Sequence, residues 1–161
     1  MNITQHTDYA FRLLMYLGAC PGRRVTIREV AERFEISRSH LMKVVTELVA
    51  KGFVDGARGK GGGLMLARAP GAIGLGEVVR QMEPSLELLE CFGAGSQCLL
   101  DPVCRLKGVL GQALQTFLAE LDRTTLADLL GHDGRLQRVL GLDVPQPAAA
   151  RPAIPIRTAG S

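Results

Sequence analysis

Between Thr7 and Ala19 the apolar residues Ala10, Phe11, Leu13, Leu14 and Leu17 recur at intervals that gather them on one face of an α-helix, and Pro21-Gly22 closes the segment. A second period begins at Thr26. In TIREVAERF, Thr26 and Glu29 match a capping box, hydroxyl and carboxylate each satisfying a free backbone donor of the first turn, and this predicts a short helix over 26–34. Ser37 is then placed to cap a third helix, RSHLMKVVTELVAKG, with Leu41, Val44, Val45 and Leu48 as its apolar stripe and Gly52 as its stop. The rhythm changes after that: FVDGA and GLMLA read as two short strands joined by RGKGGG, whose glycines let the backbone reverse sharply.

Helical spacing returns in IGLGEVVRQMEP, beginning near Leu75 and ending at Pro84. Gly93, Gly95 and Pro102 deny regular structure to the following loop, 85–104. Then VCRLKGVLGQALQTFLAEL steps through Leu106, Leu110, Ala113, Phe117 and Leu121, which predicts a helix over 103–122 with one apolar stripe. That stripe must be covered, and a second copy of the chain is the expected cover in preference to the chain's own domain. TTLADLL, capped by Thr124 or Thr125, predicts a further short helix, and the Pro- and Ala-rich stretch 143–161 a disordered tail. The expected fold is therefore mainly α with a small β-hairpin wing: a winged helix-turn-helix over 1–84, a loop over 85–104, and dimerisation and C-terminal helices over 105–142.

A chain of 161 residues, 47% hydrophobic and 22% charged, can bury one globular core. It has no apolar run of membrane-spanning length, and its first residues lack the order of a secretory signal, so a cytoplasmic location without a membrane partner is expected. The net charge of +3 is unevenly spread: residues 1–70 carry eleven Lys or Arg against six Asp or Glu, and residues 71–161 carry eight against ten. A basic half is weak evidence alone. On the third helix, however, Arg38, Ser39, His40 and Lys43 follow the cap Ser37 in the first two turns, where a recognition helix reads base edges in the major groove. Arg58 and Lys60 at the hairpin tip are placed to meet the DNA backbone or minor groove. Each feature alone is common in ordinary cores and hairpins; their order along the chain points to double-stranded DNA, and a two-fold dimer would match a near-palindromic operator. No phosphate-binding glycine motif of the nucleotide-binding kinds is present.

Three of the four cysteines lie in CFGAGSQCLLDPVC, spaced Cys91-x6-Cys98-x5-Cys104. The close pairs of structural zinc sites and the two-residue gaps of ferredoxins are both absent. Wider gaps suit a loop wrapped around an iron-sulfur cluster, and thiolates select such clusters or zinc over harder metals. Cys104 opens a helix, where backbone amides favour the thiolate. Three thiols leave one ligand position over. His6, His40 and His132 are remote in sequence and position 107 is Lys, so a carboxylate, a water or a small molecule must complete the set. Cys20, between an apolar helix and Pro21, reads as a small buried hydrophobe. Asp8 and Arg12 stand one helical turn apart and can pair, and Glu83 can join them, although a carboxylate in the first turn of a helix needs no metal to explain it. Two rivals remain on this reading: a cluster-free regulator whose thiols form disulfides or bind zinc, and an electron carrier or redox enzyme using the cluster, for which the cationic helix and wing have no purpose.

The combination of TDYAFRLLMYL, SRSHLMKVVTEL, RGKGGGLML, GEVVRQMEP and three cysteines followed by RLK resembles the winged-helix iron-sulfur repressors over residues 1–132, and most closely their nitric-oxide-sensing branch. The resemblance implies a homodimer that is not an enzyme, with one cluster per subunit, 4Fe-4S by family precedent and 2Fe-2S as the alternative. It implies ligation by Cys91, Cys98, Cys104 and Asp8 of the partner subunit; Arg12 and Glu83, placed to join Asp8, are then the residues expected to couple the site to the DNA-binding unit. It also implies repression of nitric oxide detoxification genes, released when nitric oxide attacks the cluster. Members that sense iron-sulfur supply, the alternative within the family, carry histidine three residues after the last cysteine and proline in the wing, where this chain has Lys107 and Lys60.

Overall fold

The computed structural model describes residues 3–59, 61–93 and 95–142. In chain order they form α1 (Gln5–Gly18), α2 (Ile27–Phe34), α3 (Arg38–Ala50), the strands β1 (Val54–Ala57) and β2 (Gly63–Leu66), α4 (Leu75–Met82), α5 (Arg105–Asp122), α6 (Leu126–Leu130) and α7 (Arg135–Val139). The fold is the mainly helical one with a two-stranded wing that the sequence pattern predicts.

Local chemistry sets the helix starts. The hydroxyls of Thr4, Thr26 and Ser37 accept from the amides of Thr7, Glu29 and His40, which satisfies one free donor at the head of each of the first three helices. The capping box expected at Thr26 is completed only on the hydroxyl side. Glu29 gives its carboxylate chiefly to Tyr16 Oη at 2.8 Å and to the Arg23 guanidinium at 2.7 and 3.1 Å. A full box does form at α6, between Thr125 and Asp128. Between α2 and α3 the chain turns at Glu35, whose φ of 54° is left-handed and closes the helix-turn-helix angle.

α1 runs through the middle of the core. Its Ala10, Leu13 and Leu14 are fully buried, as are Val25, Val30, Leu41, Val44, Leu48, Phe53, Ile73, Val78 and Leu126 from the elements around it. The hairpin pairs Val54 with Leu66 and Ala57 with Gly63, and Val25 adds an antiparallel bridge to Leu64. Thus the wing is bonded to the segment that leads into α2.

Within one chain, α5 buries a face beside the expected stripe. Leu114 and Leu118 are its buried residues, packed with Val79 of α4, whereas Leu106 and Ala113 of the expected stripe are exposed and Phe117 and Leu121 sit at the margin. At 1.5 Å per residue, eight-residue α4 is about 12 Å long and eighteen-residue α5 about 27 Å, so α4 can cover only the C-terminal half of α5. Arg80 and Asp122 lock that half by two bonds of 2.6 and 2.7 Å. The N-terminal half leaves Leu106 and Val109 58% and 65% exposed. α7, which periodicity did not predict, returns Leu136, Leu140 and Leu142 to the main core. The tail expected over 143–161 lies outside the described residues. No described helix is long and apolar enough to cross a membrane.

Candidate nucleic-acid interface and thiol loop

Helix α3 is held from behind by Leu41, Val44, Val45 and Leu48, all buried, and this fixes what its other face presents. Arg38, Ser39, His40 and Lys43 are exposed on that face beside the cap residue Ser37, whose Oγ lies 2.8 Å from Ser39 Oγ. The amides of the first turn and the cations beside them favour a phosphate or a base acceptor. One support escaped the sequence reading: His6 Nε2 meets Glu47 Oε2 at 2.8 Å, which ties the first turn of α1 to the last third of α3. Arg58 is exposed just beyond β1; Lys60 lies outside the described residues.

The thiol loop joins α4 to α5. All three of its thiols are free: Cys91 is buried in a 3-10 turn, Cys98 is exposed, and Cys104 is half-buried at the N-cap of α5, where no side chain caps the helix. The segment from Cys98 to α5 is folded on itself, since the Asp101 amide bonds the Cys98 carbonyl at 3.1 Å and Lys107 Nζ meets Asp101 Oδ1 at 2.5 Å. The ammonium holds the Asp101 carboxyl below the usual range, and Asp101, followed by the fields of Cys91 and Cys104, raises Lys107. Lys107 is thus engaged by Asp101 beside the thiol loop, while Cys98 faces solvent. Among the described residues no three His, Cys, Asp or Glu side chains converge as metal ligands. Three free cysteine sulfurs suit an iron-sulfur cluster in chemistry, and the single chain does not by itself gather them into a finished ligand set.

Asp8 lies in the first turn of α1, with both carboxylate oxygens on Arg12 at 2.8 and 3.1 Å. The Arg12 guanidinium lies 5.9 and 6.0 Å from the rings of Tyr9 and Phe34. Glu83 reaches the same helix at a different point from the one expected. It accepts from Thr4 N at 2.8 Å and Thr4 Oγ1 at 3.1 Å, and so pins the end of α4, where the thiol loop starts, to the cap of α1. Cys20 is buried as expected and belongs to another network: Arg23 Nη2 donates to its sulfur at 3.1 Å while burial pushes the thiol up. In that network burial and Glu29 push the Tyr16 phenol up to about 12, and Arg23 holds Glu29 below the usual carboxylate range.

A capped helix-turn-helix with a glycine-tipped wing, followed by a helix pinned to α1 by Glu83 and a loop bearing three free thiols, is the architecture of a winged-helix DNA-binding regulator. The chain belongs to the Rrf2 family of iron-dependent transcriptional regulators, whose pattern matches residues 3–132. Its relatives include two proteins named HTH-type transcriptional regulator NsrR. That of Halalkalibacterium halodurans is 45% identical over 144 residues, covering 88% of this chain and 99% of that protein. That of Geobacillus kaustophilus is 46% identical over 142 residues, covering 87% and 97%. The solved structure of T. potens IscR matches with a TM-score of 0.66 at 27% identity, covering 81% of this chain and 86% of that one. The chain is accordingly a transcriptional regulator and not an enzyme.

Proposed function

We propose that this chain is a cytoplasmic DNA-binding repressor that senses nitric oxide through an iron-sulfur cluster, acting as a homodimer on a near-palindromic operator of nitric oxide detoxification genes. The observation that supports this most directly is the loop itself, three free thiols strung between the helix pinned to α1 and the helix with a bare apolar half. Cys91, Cys98 and Cys104 would hold the cluster with Asp8 of the partner subunit, in the 4Fe-4S form, with 2Fe-2S as the alternative. When bound, it supplies iron that takes up nitric oxide.

The chain's own residues carry the signal onward. The Asp8–Arg12 pair is more than a third exposed on both sides, so it is worth no more than about 1 kcal/mol and Asp8 can leave it for a better partner without unfolding α1. α1 then connects in two directions: Glu83 and Phe11 link it to α4 and the packing around α5, and His6 links it to Glu47 on α3. Arg38, Ser39, His40 and Lys43, steadied by Ser37, read the major groove, and Arg58 and Lys60 hold the flanking backbone. A coupling of about 1 to 3 kcal/mol between the two sites would change operator affinity about 5- to 150-fold.

Anaerobic purification tests the reading, with iron and acid-labile sulfide counted per chain, followed by nitric oxide titration while visible absorbance and operator binding are recorded together. Both signals are expected to fall at the same equivalents. A colourless protein holding one zinc would replace the reading with a cluster-free thiol regulator, and equal operator affinity with and without the cluster would reject the sensing.

A further inference from the structure

Two four-residue strands are a marginal structure by themselves, so the direction in which this hairpin points depends on what it is fastened to. One fastening is the backbone bridge, in which Val25 N meets Leu64 O at 3.0 Å and Leu64 N meets Val25 O at 2.8 Å. It holds β2 only. The approach there is close: Gly63 has a φ of +148°, and a Cβ on it would stand 2.9 Å from the Val25 carbonyl oxygen. The second fastening is Arg24, which enters from the connection between α1 and α2. Its Nη1 donates to the Gly63 carbonyl of β2 at 3.1 Å, and its Nη2 to Asp55 Oδ2 of β1 at 3.0 Å. One planar guanidinium thus spans both strands, and among the described residues Arg24–Asp55 is the only ion pair that involves the hairpin. Apart from it, β1 is held to the helix-turn-helix by apolar packing, with Val54 buried in the core and Gly56 lying against Val49 of α3, and by the short turn after α3; Arg24 supplies the polar tie that joins the exposed edge of β1 to the helix-turn-helix.

We propose that Arg24 is a positioning residue for the wing, setting the angle at which the hairpin tip and Arg58 leave the helix-turn-helix and so whether the tip meets DNA beside the major-groove site. Nη1 and Nη2 each donate within the protein, and the effect of Arg24 on DNA passes through Asp55 and Gly63. The inference rests on DNA binding by the wing and is independent of the cluster.

The test uses the full-length holo-protein and a duplex enriched from a random-sequence pool by the wild type, with affinities measured for R24M, R24K, D55N, R58A and the R24M/R58A double variant. R24M is expected to bind about fivefold more weakly, the upper end of what one surface pair supports. R24K should behave like R24M, because an ammonium cannot fork to both strands. D55N should also weaken binding, although removal of an acid near DNA would by simple charge strengthen it. The cost of R58A should largely vanish in the R24M background, since a misdirected tip has no contact left to lose. Additive costs for R24M and R58A, or a D55N variant that binds as well as wild type, would overturn the role of Arg24. Failure of the wild type to enrich any duplex would overturn the DNA-binding reading beneath it.

Discussion

Replacing Gly76 with alanine tests how α5 is fastened to α4, because two effects of opposite sign meet at that position. Gly76 is buried in the first turn of α4, and helix propensity alone favours alanine there by about 1 kcal/mol. In this fold, however, a Cβ at 76 would overlap the Asp122 carboxylate and crowd Arg80 Nη1 at 2.9 Å. The Arg80–Asp122 pair, bonded at 2.6 and 2.7 Å, would have to open. Both partners are more than a third exposed, so that loss is at most about 1 kcal/mol, and displacement of the side chains cancels the rest of the propensity gain. G76A should therefore leave stability unchanged or lower it. In a D122A background the same substitution meets only the end of the Arg80 side chain, which no longer has a partner to hold it and can swing away, so it should stabilise by about 1 kcal/mol and make the coupling between the two positions about 1 to 2 kcal/mol. Urea unfolding of the cluster-free protein, wild type and the three variants at one concentration, reads this directly. Equal stabilisation by G76A in both backgrounds would refute the placement of Asp122 across α4.

Three further outcomes are expected. S37A removes the hydroxyl that caps α3 and should cost about 1 kcal/mol in thermal unfolding, with weaker operator binding because the cap opens the proposed reading surface. Tyr16 has its phenol pushed up to about 12 in the folded chain, so its contribution to stability is complete below the unfolded value of about 10 and is lost as pH rises from there towards 12. Y16F should abolish that alkaline loss, seen in denaturation midpoints across the range, while giving up the 2.8 Å bond to Glu29 at neutral pH. If the chain pairs through α5 as proposed, V109D, at a side chain 65% exposed within one chain, should leave circular dichroism unchanged and shift sedimentation from dimer to monomer; an unaltered dimer would place the pairing surface elsewhere.

What the sequence made legible was local. Ser37 and Thr26 announce helix starts because a hydroxyl caps an amide three residues on, and the reversal at RGKGGG needs only glycines. What it hid depends on partners far along the chain. Glu29 looks like the carboxylate of a capping box until Tyr16 and Arg23 claim it. The buried face of α5 is offset from its most regular stripe because α4 is short and Arg80 meets Asp122 from 42 residues away. Glu83 was expected beside Asp8 and Arg12, and a shift of one helical turn gives it to Thr4 instead. The five residues of α7 are too few for a period to declare itself. The three thiols stood out from spacing alone, yet spacing could not tell that Cys98 faces solvent while Cys91 is buried.

The bare front half of α5 starts where the thiol loop stops, with Cys104 as the hinge between them. Under the proposed function, donors for a ligand and the seam for a second copy are thus consecutive in the chain, and neither can be rearranged without the other. Dilution and loss of the ligand would then act as allies: a scarce regulator would relinquish its promoters at a gentler chemical insult than an abundant one, so that expression level itself sets the alarm threshold.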